Sequence, residues 1–76
     1  MNIPTINLPM TGANINSLRK KANMTVRDVQ KVFGFSTPQA IYKWIHGKSL
    51  PNIDNLLILA DVFDVSIEDI LSIDYK

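Results

Sequence analysis

Residues Thr25 to Gly47 read TVRDVQKVFGFSTPQAIYKWIHG, and the order of stops and starts within them decides the fold. Thr25 and Asp28 make a capping box, Thr-x-x-Asp, with Met24 and Val29 at the hydrophobic-staple positions. Val29, Val32 and Phe33 supply the buried stripe of that helix. Gly34 ends it, because the turn there needs a positive φ. A new helix then starts almost at once. Ser36 and Gln39 form a second candidate box with Phe35 and Ala40 as its staple, and Thr37 is the rival cap. Pro38 fits the first turn under either choice. Ile41, Trp44 and Ile45 are apolar at i, i+3 and i+4, and Gly47 stops the helix. Two short helices joined by a tight turn with a glycine, over about 25–46, describe a helix-turn-helix.

Downstream, Asn52 caps a fourth helix at about 53–63, whose Ile53, Leu56, Leu57, Leu59, Ala60 and Phe63 predict a place at the centre of the fold. Ser66 with Asp69, and Val65 with Ile70, open a short fifth helix at about 67–72. Upstream, Thr11 is the expected cap of a first helix at about 12–22, with Arg19, Lys20 and Lys21 in its last turn and Asn23 as a left-handed stop. Residues 1–10, MNIPTINLPM, hold two prolines and no charge, which predicts an extended arm rather than a helix. Residues 73–76 are expected to fray as a tail, and no segment has a strand period. The expectation is an all-α chain: an extended N-terminal arm (1–10), a five-helix domain (11–72) and a C-terminal tail (73–76).

Seventy-six residues allow one compact domain and exclude a two-domain enzyme. A composition of 46% hydrophobic and 20% charged residues fits a globular chain better than a disordered one. There is no cysteine and one histidine, His46, so a thiolate zinc site, a disulfide framework and a multi-histidine metal centre are excluded. Asp61, Asp64, Glu68 and Asp69 do not form a catalytic set, since nothing supplies a nucleophile or cofactor cradle. Thr11-Gly12 is not a phosphate loop, because no Gly-Lys-Ser/Thr follows. The expectation is no enzyme, no cofactor and no metal. No apolar run reaches membrane-span length and no leader pattern opens the chain, which makes a cytoplasmic location the expectation.

The charge is more informative than its total of +1. Residues 1–50 carry seven basic side chains and one acid, a net of +6, whereas residues 51–76 carry six acids and one base, a net of −5. Such polarity predicts a basic face for a polyanion and an acidic face turned away from it, against the plainer reading of ordinary solvated surface. In a helix-turn-helix the second helix presents its outer side chains to a DNA major groove. With Ile41, Trp44 and Ala40 facing inward, Thr37, Gln39, Tyr42 and Lys43 remain on the outer side. Trp44 reads as a core anchor rather than a base-stacking residue. Tyr42 is divided between base contact, phosphate contact and simple exposure, and His46 reads as a surface residue near the helix end.

The stretch Met24–Leu71 resembles the phage-repressor/Cro type of helix-turn-helix, the XRE family. The residues that carry the likeness are Gly34, Ile41, Trp44, Gly47, Lys48, Pro51, Leu56, Leu57, Leu59, Ala60, Val65, Ser66 and Leu71. With a similar first helix at Ile15–Lys21, the resemblance covers about residues 11–72. It implies a five-helix, lambda-repressor-like domain that binds double-stranded DNA as a homodimer on a symmetric site. It also implies base reading at the positions of Pro38, Gln39 and Lys43, and phosphate contact at Thr37, Lys48 and Ser49. Gln39 can pair bidentately with adenine and Lys43 can donate to guanine, whereas Pro38 cannot donate. The chain departs from the family pattern in three places. The interval from Gly34 to Gly47 is one residue longer than in the family pattern, Gln30 replaces a small alanine, and Ile45 replaces an acid that would pair with Arg19. Arg19 is then expected to be free for phosphate, and Arg27 joins it as a candidate phosphate contact.

The functional expectation is a sequence-specific DNA-binding transcriptional regulator, a repressor reading the major groove with the helix at 37–46. The alternative is a protein-interaction module of the same fold, antitoxin-like or an anti-regulator, whose partner would meet the N-terminal arm or the acidic C-terminal half.

Overall fold

The computed structural model describes residues 2–76. In chain order the elements are strand β1 (Pro4–Ile6), helices α1 (Leu8–Lys21), α2 (Val26–Phe33), α3 (Gln39–Ile45), α4 (Ile53–Phe63) and α5 (Ile67–Ile70), and strand β2 (Ile73–Tyr75). The five helices stand in the expected order around one core, formed by Ile15, Val29, Ile41, Trp44, Leu56, Leu59, Ala60, Phe63 and Ile70.

The local chemistry of the helix ends is largely as the residues dictate. Thr25 and Asp28 form the full capping box, with the Asp28 amide donating to Thr25 Oγ1 at 3.0 Å and the Thr25 amide donating to Asp28 Oδ2 at 2.8 Å. The Thr25 backbone and side-chain bonds, with a smaller contribution from Lys31, hold the Asp28 carboxyl below its ordinary pKa. Ser66 and Asp69 make the equivalent box on α5. Asn52 caps α4, accepting from the Asn55 amide. Gly34 closes α2 at φ 68°, and Asn23 and Asp64 take the left-handed turns after α1 and α4.

Both chain ends differ from expectation. α1 begins at Leu8, not after Thr11, and its cap is Asn7, whose Oδ1 accepts from the Met10 amide at 3.0 Å. Pro9 is tolerated because it lies in the first turn, where its missing N–H has no intrahelical partner to lose. Thr11 is instead buried inside the helix, and its Oγ1 accepts from the Ser72 amide at 2.9 Å. The arm is extended only over residues 4–6, and it is not free. It pairs antiparallel with β2, with Pro4 opposite Tyr75, Thr5 opposite Asp74 and Ile6 opposite Ile73. The tail expected to fray is therefore the second strand of a clasp. Three residues per strand are too few for a sequence period, and the pairing partner lies at the other end of the chain.

α4 is also less enclosed than its composition predicts. Leu56, Leu59, Ala60 and Phe63 enter the core, but Ile53 is 74% exposed and Leu57 and Ile58 also face outward. A domain this small has too few neighbours to cover a helix on every side. α5 ends at Ile70, and Leu71 is already extended where the chain turns into β2.

Candidate nucleic-acid interface

The interface is set by how α3 is held. Ile41 and Trp44 face inward, Trp44 at 5% exposure, as a core anchor would. Phe33 and Phe35 stack on each other with ring centroids 5.1 Å apart. Both meet Trp44 edge-on, at 5.4 and 6.0 Å. Such pairs add roughly 0.5–1.5 kcal/mol each beyond area burial, and they clamp α2, the turn and α3 together.

The opposite side of α3 is fixed by α1, which packs on it most extensively. Gly12 permits this. A Cβ built there would lie 2.5 Å from the Ile45 carbonyl oxygen and closer still to that of Trp44. Gln30 spans the turn between α2 and α3: its Nε2 donates to the Phe35 carbonyl at 3.0 Å and satisfies a backbone oxygen there.

The capping box expected at Ser36 and Gln39 does not form. α3 starts after Pro38 at φ −85°, with no side-chain cap, and residues 36–38 are a bend rather than helix. Ser36, read from sequence only as a cap, is instead released to the surface. It lines a shallow hollow of about 330 Å³ with Thr37, Gln39, Lys43 and Ser49, alongside Phe35 and Ala40. Ser49 arrives there because the loop after Gly47 folds back on α3. The Lys48 and Ser49 amides both donate to the Lys43 carbonyl, at 2.8 and 3.4 Å. Gln39, Lys43 and Lys48 are exposed, and no carboxylate lines the hollow.

The remaining candidates lie outside the hollow. Pro38, half-buried, stands at the head of α3. Tyr42 is exposed and its ring stacks on His46, one turn on, at 6.0 Å and 22°. Sequence reasoning missed this pair, although i and i+4 is the spacing that brings rings together on a helix. Arg27 is exposed on α2. Arg19 departs from its expected freedom. Its Nη1 donates to the Met24 carbonyl at 2.7 Å, while Nε and Nη2 donate to Asn16 Oδ1 at 3.2 and 2.7 Å. With no acid at position 45, the guanidinium ties α1 to the start of α2 through a backbone oxygen instead.

A family model described as "Helix-turn-helix" matches residues 15–70. The chain belongs to the XRE-type helix-turn-helix family. As an XRE-type chain it is a DNA-binding regulator of transcription. Solved structures share the fold at low identity. The restriction-modification controller protein C.AhdI from Aeromonas hydrophila superposes with a TM-score of 0.72 at 17% identity, covering 83% of this chain and 94% of that one. The DNA-binding domain of BldD gives 0.71 at 17%, covering 86% and 93%. The clp gene regulator ClgR from C. glutamicum gives 0.69 at 18%, covering 82% and 79%. No curated protein matches the sequence significantly. Among the described residues, no helix of this XRE-type chain is long and apolar enough to cross a membrane.

Proposed function

We propose that this protein is a non-catalytic repressor that binds operator DNA as a homodimer and blocks promoter access by occupancy. α3 enters the major groove, where Gln39 and Lys43 read base edges and Tyr42 adds a contact from the adjoining flank. Pro38 shapes the head of the helix and reads only by contact, having no donor. Thr37, Ser49, Lys48 and Arg27 grip phosphates, which supplies most of the affinity without sequence information. Arg19 acts by holding α1 against α2. The observation that supports this reading most directly is the hollow itself. It gathers Thr37, Gln39, Lys43 and Ser49 on one carboxylate-free surface of a helix whose other side is locked into the core.

Basic side chains are concentrated in residues 1–50, which contribute all of α1, α2 and α3. The acids lie mainly on α4 and α5, so the charge polarity of the sequence becomes a polarity between elements. In a symmetric complex the two α3 helices lie about one DNA turn apart, ~34 Å. The test is selection of bound duplexes from a random pool. A two-fold symmetric consensus at about that spacing is the expected result. Enrichment of no sequence, or binding that does not weaken with salt, would refute the reading.

A further inference from the structure

We infer that the apolar trough between the clasp and the start of α4 docks a second, different protein, which lays into it an amphipathic helix with apolar anchors and Lys or Arg flanks. The trough has a volume of about 910 Å³ and is lined mainly by Ile6, Leu50, Pro51, Ile53, Ile67 and Leu71. It is open to solvent, whereas a small-molecule site buries most of its ligand. An open apolar trough suits a helix that buries one stripe and keeps its other side in water.

The apolar side chains here exceed what the core requires. Ile53 follows the Asn52 cap and is 74% exposed, and Leu57, one turn on, is exposed too. Ile6 lies opposite Ile73 in the clasp, so the two side chains share one face, and both are exposed. Exposed apolar residues scattered singly are ordinary, but these adjoin one trough. Its wall is also held in place. Strand pairing fixes Ile6, and the next amide, that of Asn7, donates to the Ser72 carbonyl at 2.8 Å. A preformed site leaves the partner helix to bear most of the ordering cost.

Charge selects the occupant. Asp54 lines the trough, and the charged residues of α4 and α5 are Asp54, Asp61, Glu68 and Asp69, all acids. Residues 2–18 and 49–75, which supply every lining residue, contain no Lys, Arg or His. An apolar floor with acids alone around it repels phosphate, which rules out nucleic acid and an anionic lipid surface. A second copy seated by the same face would set these acids against their own kind. A helix with basic flanks meets both the floor and the rim.

The trough and the hollow beside α3 share no lining residue, yet one loop separates them. Ser49 lines the hollow, and Leu50 and Pro51 line the trough. Partner and DNA can therefore be held at once. The docking itself does not depend on the DNA reading.

The test is selection of a randomised helical-peptide library, displayed on phage, against the full chain. One enriched peptide is then synthesised and its binding followed by fluorescence anisotropy. The enriched peptides are expected to share apolar residues at i and i+3 or i+4 and a net positive charge. Ile53→Ser, at an exposed position, should raise the peptide Kd about tenfold. Asp54→Asn should raise it at low salt and lose that effect at high salt. Amide resonances of Leu50, Ile53 and Leu71 should shift on binding, and those of Gln39 and Lys43 should not. Circular dichroism checks folding, and Ile6→Thr serves as a second variant of the floor. No enrichment, enriched peptides of net negative charge, a Kd unchanged in both Ile53→Ser and Ile6→Thr, or competition between peptide and a selected duplex would each overturn the inference. Self-association of the wild type that Ile53→Ser abolishes would give the trough to a second copy and overturn it as well. Peptide binding at the trough by a chain that selects no duplex consensus would uphold the docking site and refute the DNA reading alone.

Discussion

Replacing Gly12 by alanine isolates the contact that sets the angle of α3. Two effects oppose each other. Alanine is the better helix former by about 1 kcal/mol, so an open site in the middle of α1 would be stabilised. Gly12 is not open. The added methyl group meets the carbonyl oxygens of Trp44 and Ile45, which are backbone atoms at the end of α3 and cannot rotate away. Overpacking of this kind costs about 1–3 kcal/mol, and rigid backbone on the receiving side places it at the upper end. The expected net loss is about 2 kcal/mol. For a domain of this size that lowers Tm by roughly 8–16 °C. At about 0.05–0.15 kcal/mol per residue the chain holds ~4–11 kcal/mol in total, so the variant remains folded at room temperature. Its α3 is displaced, however, and Gln39 and Lys43 lose their alignment, which weakens binding to a selected duplex by about tenfold. Thermal unfolding and fluorescence anisotropy read the two effects. Ala13→Gly, next door and exposed, serves as the control and loses only the propensity of about 1 kcal/mol. A Gly12→Ala chain that melts higher than wild type and binds DNA equally well would refute the account of how α3 is positioned.

Gln39→Ala is expected to lose roughly 1–3 kcal/mol at one base position and relax preference there. An unchanged consensus in duplex selection would remove Gln39 as a reader. Lys48→Ala should weaken binding to all sequences alike and reduce the salt slope by about one, so an unaltered slope would deny it a phosphate contact. Arg19→Ala should lower Tm, because charge-assisted bonds to Met24 and Asn16 disappear, while the salt slope stays constant. A reduced slope would assign Arg19 to phosphate after all. Asp28 has a folded pKa below its ordinary value, so its stabilisation is complete above about pH 4 and fades as pH falls through the lower folded value. The stability gap between wild type and Asp28→Asn, measured by urea unfolding, should therefore be constant near neutrality and shrink below about pH 4; a gap independent of pH would contradict this.

The helix-turn-helix was legible because its signals are local. A capping box needs two residues three apart, a left-handed stop needs one glycine or asparagine, and a buried stripe needs a 3.6-residue period. Thr25–Asp28, Gly34 and the Ile41–Trp44 pair carry these signals within single helices, and the structure places each as they dictate. The outward side of α3 followed by subtraction. Where local rules competed, they misled. Ser36-x-x-Gln39 satisfies a capping pattern as well as Thr25-x-x-Asp28 does, but in the turn held by Gln30 Ser36 lies in a bend. Arg19 was legible as a cation but not as a tie, because its partner is a main-chain oxygen that any residue at position 24 would supply.

By itself, then, the order of side chains determined five helices, a core anchored on Trp44, the side chains left on the outer side of α3 and the separation of basic from acidic halves. Only the tertiary structure decided the tilt of α3, the hollow beside it and the clasp between the chain ends. Those depend on atoms far apart in sequence: Gly12 against the carbonyls of Trp44 and Ile45, Asn7 against Asp74, and Thr11 against Ser72. Helical periodicity records which side of an element is apolar, whereas backbone approach and strand pairing leave almost no trace in composition until two distant segments meet.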